Sequence, residues 1–455
     1  MKFDPKDYLV DDKTTLMNAM KKLDDNHSGF LFTTDKEGSV NGLATDGDIR
    51  RALLNGINLS DSILKCANKD FFYFHVNTPR EKILKRLDED FQFVPLLDAN
   101  KKLCSIITRD YLPLREEEPI YVRARAPVRV SFGGGGSDLT HYFSDNLGAV
   151  INATISLYSH ATLRIRSDSR VNISSLDLNE SLSASNLDEA INSPKSFGLI
   201  IAVLKIIKPS FGFDLYLHSD FSVGSGLGGS ATVVAAILGC FNMLRQDQWD
   251  RHEIAELAFQ AERILLGIAG GWQDQYATVF GGFNFIEFGK DPHVVTPIRL
   301  HKNTILELEE SLVLCDTGIL HNSNEIHKDQ KDTAKQKNVA DLVAENVRLT
   351  YSIRNCLLRG QLSEFGSALN RAWELKRNFS SQISSAKIDE IYREAMENGA
   401  NGGKLLGAGG GGFFLFHVSP FRKHELCNHL KSKGLQIKLF RFESSGLQAW
   451  SIRDM

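Results

Sequence analysis

Three glycine-rich stretches contain the residues of this chain whose types and spacing could do chemistry. The middle one, 'GSGLGGSA' from Gly224, places a serine, Ser230, directly before the apolar run 'ATVVAAIL'. Glycines at the start of a helix let backbone N–H groups close around an anion, and the helix dipole favours negative charge there. The pattern predicts a phosphate-binding loop; a tight turn before a buried helix is the simpler alternative. The predicted phosphate-binding residues are Gly224, Ser225, Gly226, Leu227, Gly228, Gly229 and Ser230.

Two common nucleotide-binding patterns do not fit this loop. Gly224, Gly226 and Gly229 satisfy G-x-G-x-x-G, but 'HSDFSV' separates them from the preceding strand-like run. The dinucleotide fingerprint also needs a second strand that ends in an acidic residue about twenty positions later, and the sequence there has a helical pattern. A Walker A loop needs a lysine, which this loop lacks. What remains is a nucleoside triphosphate held by backbone groups, with Ser230 free for a metal ion.

Regular elements must position these stretches. The alternating run 'YVRARAPVRVSF' predicts a strand that leads into the first glycine run, 'GGGGSDL'. The unbroken small and branched residues after Ser230 predict a buried helix behind the middle run. The apolar residues of 'DRHEIAELAFQAERILLG' fall on one stripe, which predicts an amphipathic helix. The third run, 'GAGGGG' from Gly407, leads into the strand-like 'FFLFHV'.

Length and composition limit the class of protein. With 455 residues, 42% of them apolar and 24% charged, the chain is expected to form two or three globular domains. A net charge of −3 provides no general basic field for nucleic acid or an acidic membrane surface. The start, 'MKFDPKDYLV', lacks an apolar signal core, and the six cysteines form no C-x-x-C pair. We therefore expect a cytoplasmic protein with reduced cysteines and no membrane span.

The first part of the chain contains a repeat. The segment 'TTLMNAMKKLDDNHSGFLFTTDKEGSVNGLATDGDIRRALL' and the later 'TPREKILKRLDEDFQFVPLLDANKKLCSIITRDYL' both predict helix, strand, turn, strand and helix. After them, an acidic run and Pro119 are typical of a linker. We therefore predict a domain boundary between residues 117 and 118.

The three glycine runs together resemble the motifs of the GHMP kinases, the superfamily of galactokinase, homoserine kinase and mevalonate kinase. 'RVSFGGGGSDL', 'VGSGLGGSA' and 'LLGAGGGGFFLF' stand in the same order as in that superfamily. The resemblance covers the chain from about residue 121 to its end. Within the superfamily, 'GGWQDQYATVFGGFNFIEF', 'AWELK' and 'NGGKLLGAGGGGF' are most similar to bacterial kinases of D-glycero-D-manno-heptose 7-phosphate.

The resemblance implies an α+β fold with two α/β sandwich lobes, here residues 118–305 and 306–455, preceded by the small domain 1–117. It implies ATP-dependent phosphorylation of an anomeric hydroxyl, with Mg²⁺ as cofactor and heptose 7-phosphate as substrate. A kinase for another sugar, such as fucose, and a nucleotide-sensing protein on an inactive kinase fold are the alternatives. We also expect a homo-oligomer.

The resemblance assigns roles to four residues in the kinase part. It implies Ser230 and Glu262 as metal ligands, Asp274 as the base that accepts or orients the acceptor hydroxyl, and Arg129 as a residue near the transferred phosphoryl group. Each has a simpler interpretation. Glu262 could be a solvated glutamate on a helix flank, Asp274 the N-cap of 'QYATVF', and Arg129 an edge-strand arginine with its head in solvent.

The sugar is expected at the first and third glycine runs. By resemblance, Asp138 accepts bonds from sugar hydroxyls, and Gly135 and Gly136 leave room where galactokinases carry Glu-His. The phosphate of the substrate needs a cation, for which Lys376, Arg371 and Lys404 are the candidates. Related kinases usually carry an arginine where this chain has His321, and this difference leaves another sugar phosphate as an alternative substrate. The predicted substrate-binding residues are Gly135, Gly136, Ser137, Asp138, Lys376, Gly409 and Gly410.

The N-terminal repeat resembles a tandem CBS module, chiefly through 'GLATDGDIRRAL'. In that family a threonine or serine and an aspartate at such a turn hold the phosphate and ribose of an adenine nucleotide; Thr45 and Asp48 stand at those places. The second repeat departs from the pattern, because its Thr108 and Asp110 are spaced one residue closer. We favour the simpler interpretation, in which Asp48 caps the helix 'IRRALL' and the module is a dimerisation platform.

Overall fold

The computed structural model forms two compact units, residues 1–117 and residues 118–455. Asp110, Pro119 and His321 lie outside the residues that the structure describes. The predicted lobe boundary at 305/306 falls inside a helix of the second unit and remains a prediction. The described residues are 4–89, 91–109, 111, 121–192, 197–222, 224–319, 326, 329 and 337–453, with the side chains of 337 and 338 left aside.

The first unit contains two three-stranded sheets of the same topology. In each, a parallel pair of strands is followed by an antiparallel hairpin, as the sequence repeat leads one to expect. The strands are β1 (Leu9–Asp11), β2 (Phe30–Thr34), β3 (Val40–Thr45), β4 (Phe74–His75), β5 (Phe93–Leu97) and β6 (Leu103–Thr108). The helices are α1 (Leu16–Asn26), α2 (Asp46–Leu54) and α3 (Arg80–Asp88), with short 3-10 turns at Pro5–Tyr8 and Ile63–Lys65.

The turn from β3 to α2 forms a capping box. The Thr45 hydroxyl accepts a hydrogen bond from the Asp48 backbone N–H at 3.2 Å, and the Asp48 carboxylate accepts the Thr45 backbone N–H at 2.9 Å. Arg51 also donates to that carboxylate. The N-cap is Thr45, three residues before the expected cap Asp48, because α2 already begins at Asp46. Asp48 therefore helps to cap the helix from its third position, close to the simpler interpretation.

The second unit contains a large mixed sheet and a smaller antiparallel sheet. The long strand β8 pairs with β7, β11 and β12 and so connects the two halves of the large sheet. The strands of the large sheet are β7 (Tyr121–Gly133), β8 (Gly148–Ile165), β9 (Val171–Ser175), β10 (Glu180–Ala184), β11 (Phe213–Ser219), β12 (Phe283–Phe288), β13 (Val294–Pro297) and β18 (Gln448–Ile452). Those of the smaller sheet are β14 (Leu312–Asp316), β15 (Ala400–Leu405), β16 (Phe413–Val418) and β17 (Gln436–Lys438).

Helices cover these sheets and complete a core that is buried on both sides of β7. One hydrophobic cluster joins α7 and α6 to the sheet, and another joins β7 to α11, α12 and the smaller sheet. The helices of this unit are α4 (Thr140–Phe143), α5 (Leu187–Ile191), α6 (Gly198–Ile207), α7 (Gly229–Asn242), α8 (Arg251–Phe259), α9 (Gln273–Phe280), α10 (Lys302–Ser311), α11 (Lys337–Arg359), α12 (Leu362–Lys376), α13 (Ala386–Glu397) and α14 (Pro420–Ser432).

One predicted element differs from the structure in detail. The single helix predicted over 'DRHEIAELAFQAERILLG' is α8 followed by a π-helical turn, Gln260–Leu265. Such wide turns disturb helical periodicity and are frequent at functional sites.

Within the described ranges, we find no helix that is both long and apolar enough to cross a membrane.

Candidate active site

A cavity of about 290 Å³ lies in the second unit, and all three glycine runs contribute to its wall. Gly135 and Gly136 come from the first run, the loop before α7 from the second, and Gly407 and Ala408 from the third. The predicted catalytic and metal-binding side chains line the same cavity. These are Arg129, Ser230, Glu262 and Asp274. These four side chains, which are up to 145 positions apart in the chain, therefore meet around one space.

The middle glycine run wraps the start of α7. Gly224, Gly226 and Gly228 have φ values of 79°, 72° and 82°, which side chains rarely tolerate. A Cβ on Gly228 would also lie 3.3 Å from the Asp274 carboxylate. Leu227 does not line the cavity: its side chain is fully buried, and its carbonyl accepts the Arg129 backbone N–H at 3.1 Å. The loop therefore presents backbone and Ser230 to the cavity, and Leu227 anchors it to the core.

The first glycine run holds Asp138 at the cavity wall. The Asp138 carboxylate accepts the backbone N–H groups of Gly136, at 3.0 Å, and of Gln273, at 3.2 Å. Burial, together with the charge of Asp274, raises the pKa of Asp138. Ser137 is placed differently, because its buried hydroxyl donates to the Gly134 carbonyl at 2.7 Å and accepts an N–H from within the fold. It shapes the turn and is absent from the cavity lining.

Arg129 and Asp274 form an ion pair at the cavity. Arg129 Nε and Nη2 lie 2.8 and 2.7 Å from Asp274 Oδ1, and Nη1 donates to the Gly226 carbonyl at 2.8 Å. The Arg129 side chain is only 4% exposed, so its interpretation as a solvent-facing edge arginine is wrong. Asp274 lies in the first turn of α9, whose N-cap position is Trp272, so the N-cap interpretation is wrong as well. The guanidinium thus fixes a carboxylate that is 22% exposed beside the middle glycine run.

Glu262 lies in the π-helical turn and is 1% exposed, so the interpretation as a solvated helix flank is wrong. Gln275 Nε2 donates to one carboxylate oxygen at 2.5 Å, and Arg263 Nη1 lies 3.9 Å from the other. Burial raises the pKa of Glu262. A buried carboxylate with such incomplete pairing has a high desolvation cost and is chemically suited to bind a cation.

Of the three cations considered for a substrate phosphate, one borders the cavity. Lys376 Nζ donates to the carbonyls of Leu405, at 3.3 Å, and Gly407, at 2.5 Å, and burial followed by the Arg129 charge lowers its pKa to about 7. Lys404 is buried outside the lining, and burial and Lys376 lower its pKa. Arg371 is 51% exposed and paired with Glu345 at 2.7 Å, away from the cavity.

Comparison with known proteins identifies the family of this chain. The chain matches the GHMP kinases N-terminal domain over residues 198–282 and the GHMP kinases C-terminal domain over residues 353–434. It is 35% identical, over 337 residues, to a D-glycero-alpha-D-manno-heptose 7-phosphate kinase of Campylobacter jejuni, covering 73% of this chain and 99% of the relative. The chain belongs to the GHMP kinase family. As a member, it is an ATP-dependent kinase with the mixed α/β fold of that family.

Two further similarities describe this GHMP kinase. A solved structure described as a D-glycero-D-manno-heptose 1-phosphate kinase from Bacteroides thetaiotaomicron is 30% identical, with a TM-score of 0.61, and the match covers 73% of this chain and 99% of that one. A bifunctional fucokinase/GDP-fucose pyrophosphorylase of Arabidopsis thaliana is 28% identical over 68% of this chain and 31% of its own length. The names of the relatives therefore differ in the sugar and in the position of its phosphate.

One part of the third glycine run of this GHMP kinase lines the cavity, and the other part packs against the protein interior. Gly407 and Ala408 line the cavity, and a Cβ on Gly407 would lie 2.6 Å from the Gly226 carbonyl. Gly409 and Gly410 contact Ile383 instead, where the Gly410 N–H donates to the Ile383 carbonyl at 2.8 Å. Substrate binding by these two glycines remains a prediction.

The sequence reading missed several residues of the site. Gln273 accepts the Ser131 hydroxyl and so ties the start of α9 to β7, and Gln275 supports Glu262. Both lie in 'QDQ', where the pattern singled out only the aspartate. Arg263 was missed because the segment has the pattern of an ordinary amphipathic helix, in which an arginine outside the apolar stripe is expected to face solvent. The cavity lining also contains apolar side chains, which include Leu178, Leu199, Ile200, Leu217, Phe221 and Val233.

Proposed function

We propose that this ATP-dependent sugar kinase phosphorylates the anomeric hydroxyl of a sugar phosphate, namely D-glycero-D-manno-heptose 7-phosphate, to give the 1,7-bisphosphate. The observation that carries the proposal is the Arg129–Asp274 ion pair. Both residues line the same cavity as the glycine loop that precedes α7. The likeness to the Campylobacter jejuni heptose 7-phosphate kinase supports the choice of sugar.

The proposed reaction uses the residues around the loop. Backbone N–H groups from Gly224 to Ser230 bind the triphosphate, while Asp138 accepts bonds from sugar hydroxyls. Asp274 orients the acceptor hydroxyl and takes its proton as the new O–P bond forms and the bond from the γ-phosphorus to ADP breaks. Arg129 holds the Asp274 carboxylate in place and reduces the local negative charge.

Mg²⁺ fits the residues at one side of the cavity. Glu262 is a buried carboxylate with one hydrogen bond, and Ser230 presents a hydroxyl from the first turn of α7. We propose that these two residues hold the ion, since Mg²⁺ keeps several waters and takes few protein ligands. When bound, the ion neutralises charge on the phosphate oxygens. The apolar side chains of the lining, such as Leu199 and Val233, are suited to contact the adenine ring.

The substrate can be identified with a panel of sugars. With Mg-ATP, we expect ADP release to be fast with heptose 7-phosphate and at least about 100-fold slower, in kcat/KM, with mannose 6-phosphate, fucose and galactose, because a polar site rejects ligands that leave its groups unpaired. The ¹H and ³¹P NMR spectra of the product should place the new phosphate on the anomeric carbon. Turnover of fucose above heptose 7-phosphate would support the second candidate, a fucokinase-like enzyme, which the Arabidopsis relative favours.

We propose that the first unit is a CBS-like module that joins copies of the chain and responds to adenine nucleotide at Thr45 and Asp48. The duplicated sheet topology supports this proposal. In the full-length protein, changing the AMP to ATP ratio is expected to alter kcat or KM about two- to tenfold, a coupling of the usual allosteric size. Asp48→Asn should abolish the response, while the control Asp46→Asn, two residues earlier in the same first turn of α2, should retain it. Activity that is constant across the ratios would contradict nucleotide binding by this module.

A further inference from the structure

Arg263 is a cation in the cavity wall whose guanidinium N–H groups make few hydrogen bonds to the described residues. It follows Glu262 in the π-helical turn, lines the cavity, and has a side chain that is 11% exposed. A guanidinium has five N–H donors. Among the described residues, Nη1 reaches the Ala269 carbonyl at 3.5 Å, and the buried Nε has no hydrogen-bond partner.

The charge of Arg263 is also incompletely balanced. Its nearest carboxylate oxygen is Glu262 Oε1, at 3.9 Å, and arginine cannot release its proton in a protein. Arg129 shows the contrast, because three of its nitrogens make contacts between 2.7 and 2.8 Å. If Glu262 holds Mg²⁺, as proposed above, the ion balances the negative charge of the Glu262 carboxylate, and that charge no longer balances Arg263. The corner formed by Glu262 and Arg263 then attracts an anion.

The neighbouring glycines locate this corner relative to Asp138. A Cβ on Gly270 would lie 2.7 Å from the Arg263 guanidinium carbon, and a Cβ on Gly271 would lie 2.0 Å from Asp138 Oδ2. The Cα atoms of successive residues are about 3.8 Å apart. The guanidinium and the Asp138 carboxylate are thus placed at two adjacent glycines. A sugar bound at Asp138 brings its more distant substituents within reach of Arg263.

We propose that Arg263 binds a phosphate group in this cavity, and that this group is the phosphate already present on the acceptor sugar. Arginine binds phosphate oxygens through paired, charge-assisted hydrogen bonds, for which the unused donors of Arg263 are available. The inference rests on the proposed function and deepens it, since it names the residue that distinguishes a sugar phosphate from a free sugar. The triphosphate of ATP is the other source of phosphate in the same cavity.

Binding of a matched pair of ligands tests the proposal. Calorimetric titration without nucleotide would compare D-glycero-D-manno-heptose 7-phosphate with the unphosphorylated heptose. Wild-type protein is expected to bind the phosphorylated sugar more tightly, and Arg263→Gln should reduce this preference about 10- to 100-fold while affinity for the free heptose stays within about twofold. Arg263→Lys should retain part of the preference. Arg371→Gln, on the exposed surface, is the matched control and should retain all of it.

The remaining outcomes separate the two proposals. An Arg263→Gln variant that keeps the full preference for phosphorylated heptose overturns the role of Arg263, whereas wild-type protein without any preference overturns the proposed substrate. A rise confined to the KM for ATP, measured in the same variant, assigns the phosphate to the nucleotide and overturns the sugar assignment. Melting curves of all variants show whether the fold is retained. If Arg263→Gln does not fold, the comparison of Arg263→Lys with the wild type decides the proposal.

Discussion

Asp274→Asn is expected to lower kcat by about two to four orders of magnitude while ATP binding persists, because an amide cannot accept the proton of the acceptor hydroxyl. The asparagine oxygen can still accept the hydrogen bonds that Arg129 donates at 2.7 to 2.8 Å, so the side chain should stay in place. Rapid-quench measurement of phosphoryl transfer, together with a nucleotide titration, separates the chemical step from binding.

The matched control for this variant is Asp247→Asn, which removes a carboxylate whose side chain is 82% exposed and remote from the cavity lining. It should leave kcat within about twofold of the wild-type value, as expected for a surface substitution. If Asp274→Asn behaves like Asp247→Asn, the carboxylate only positions Arg129 and is not the base. If ATP binding is lost as well, the pair with Arg129 is needed to shape the phosphate loop.

Glu262→Gln is expected to separate stability from activity. The variant should lose at least about 100-fold in kcat/KM and need more Mg²⁺ for half-maximal rate, because it removes the charged oxygen proposed to hold the ion. Without Mg²⁺ it should melt about 2 to 5 °C higher than the wild type, since it removes a buried charge of high desolvation cost. A glutamine can still accept the hydrogen bond that Gln275 donates.

The pH dependence of this stability difference has a definite sign. Burial raises the pKa of Glu262 above its ordinary value of 4.5. Below pH 4.5 the carboxyl group is protonated in both folded and unfolded protein, so it contributes no difference. As the pH rises, the unfolded state ionises first, and wild-type stability falls until the pKa of the folded state is passed. The higher melting temperature of Glu262→Gln should therefore be absent near pH 4 and present at pH 7.

Glu256→Gln serves as the control for this series, because Glu256 is an exposed glutamate on the preceding helix, α8. Its melting temperature should follow the wild type at each pH. An unchanged Mg²⁺ requirement in Glu262→Gln would exclude Glu262 as a ligand of the ion. A lower melting temperature at pH 7 would show that its interaction with Arg263 outweighs the cost of burial.

Local signals in the sequence were sufficient for the elements that carry the site. Alternation in 'YVRARAPVRVSF' predicted β7, and small residues after Ser230 predicted α7, which begins at Gly229. These signals depend on near neighbours, because periodicity and glycine content reflect which backbone conformations and buried faces a short segment can adopt. The order of the three glycine runs was specific enough to indicate the GHMP kinases.

The burial and the partners of the charged side chains could not be predicted from these local signals. Arg129 alternates along β7 like a surface residue, yet α9 lies against it and makes it buried and paired with Asp274. Glu262 has the sequence pattern of a helix flank, but the π-helical turn places it inside the cavity. Arg371 and Lys404 have the same charge as Lys376, and only Lys376 borders the cavity.

The sequence by itself determined that this chain contains a glycine loop before a buried helix, the elements around that loop and the family to which the chain belongs. The tertiary structure alone decided which charged side chains meet in the cavity, and it added Arg263, Gln273 and Gln275 to the site. The reason is physical: backbone preferences are local, whereas burial and ion pairing depend on segments that are far apart in the chain, such as β7 and α9, and that meet only in the folded protein.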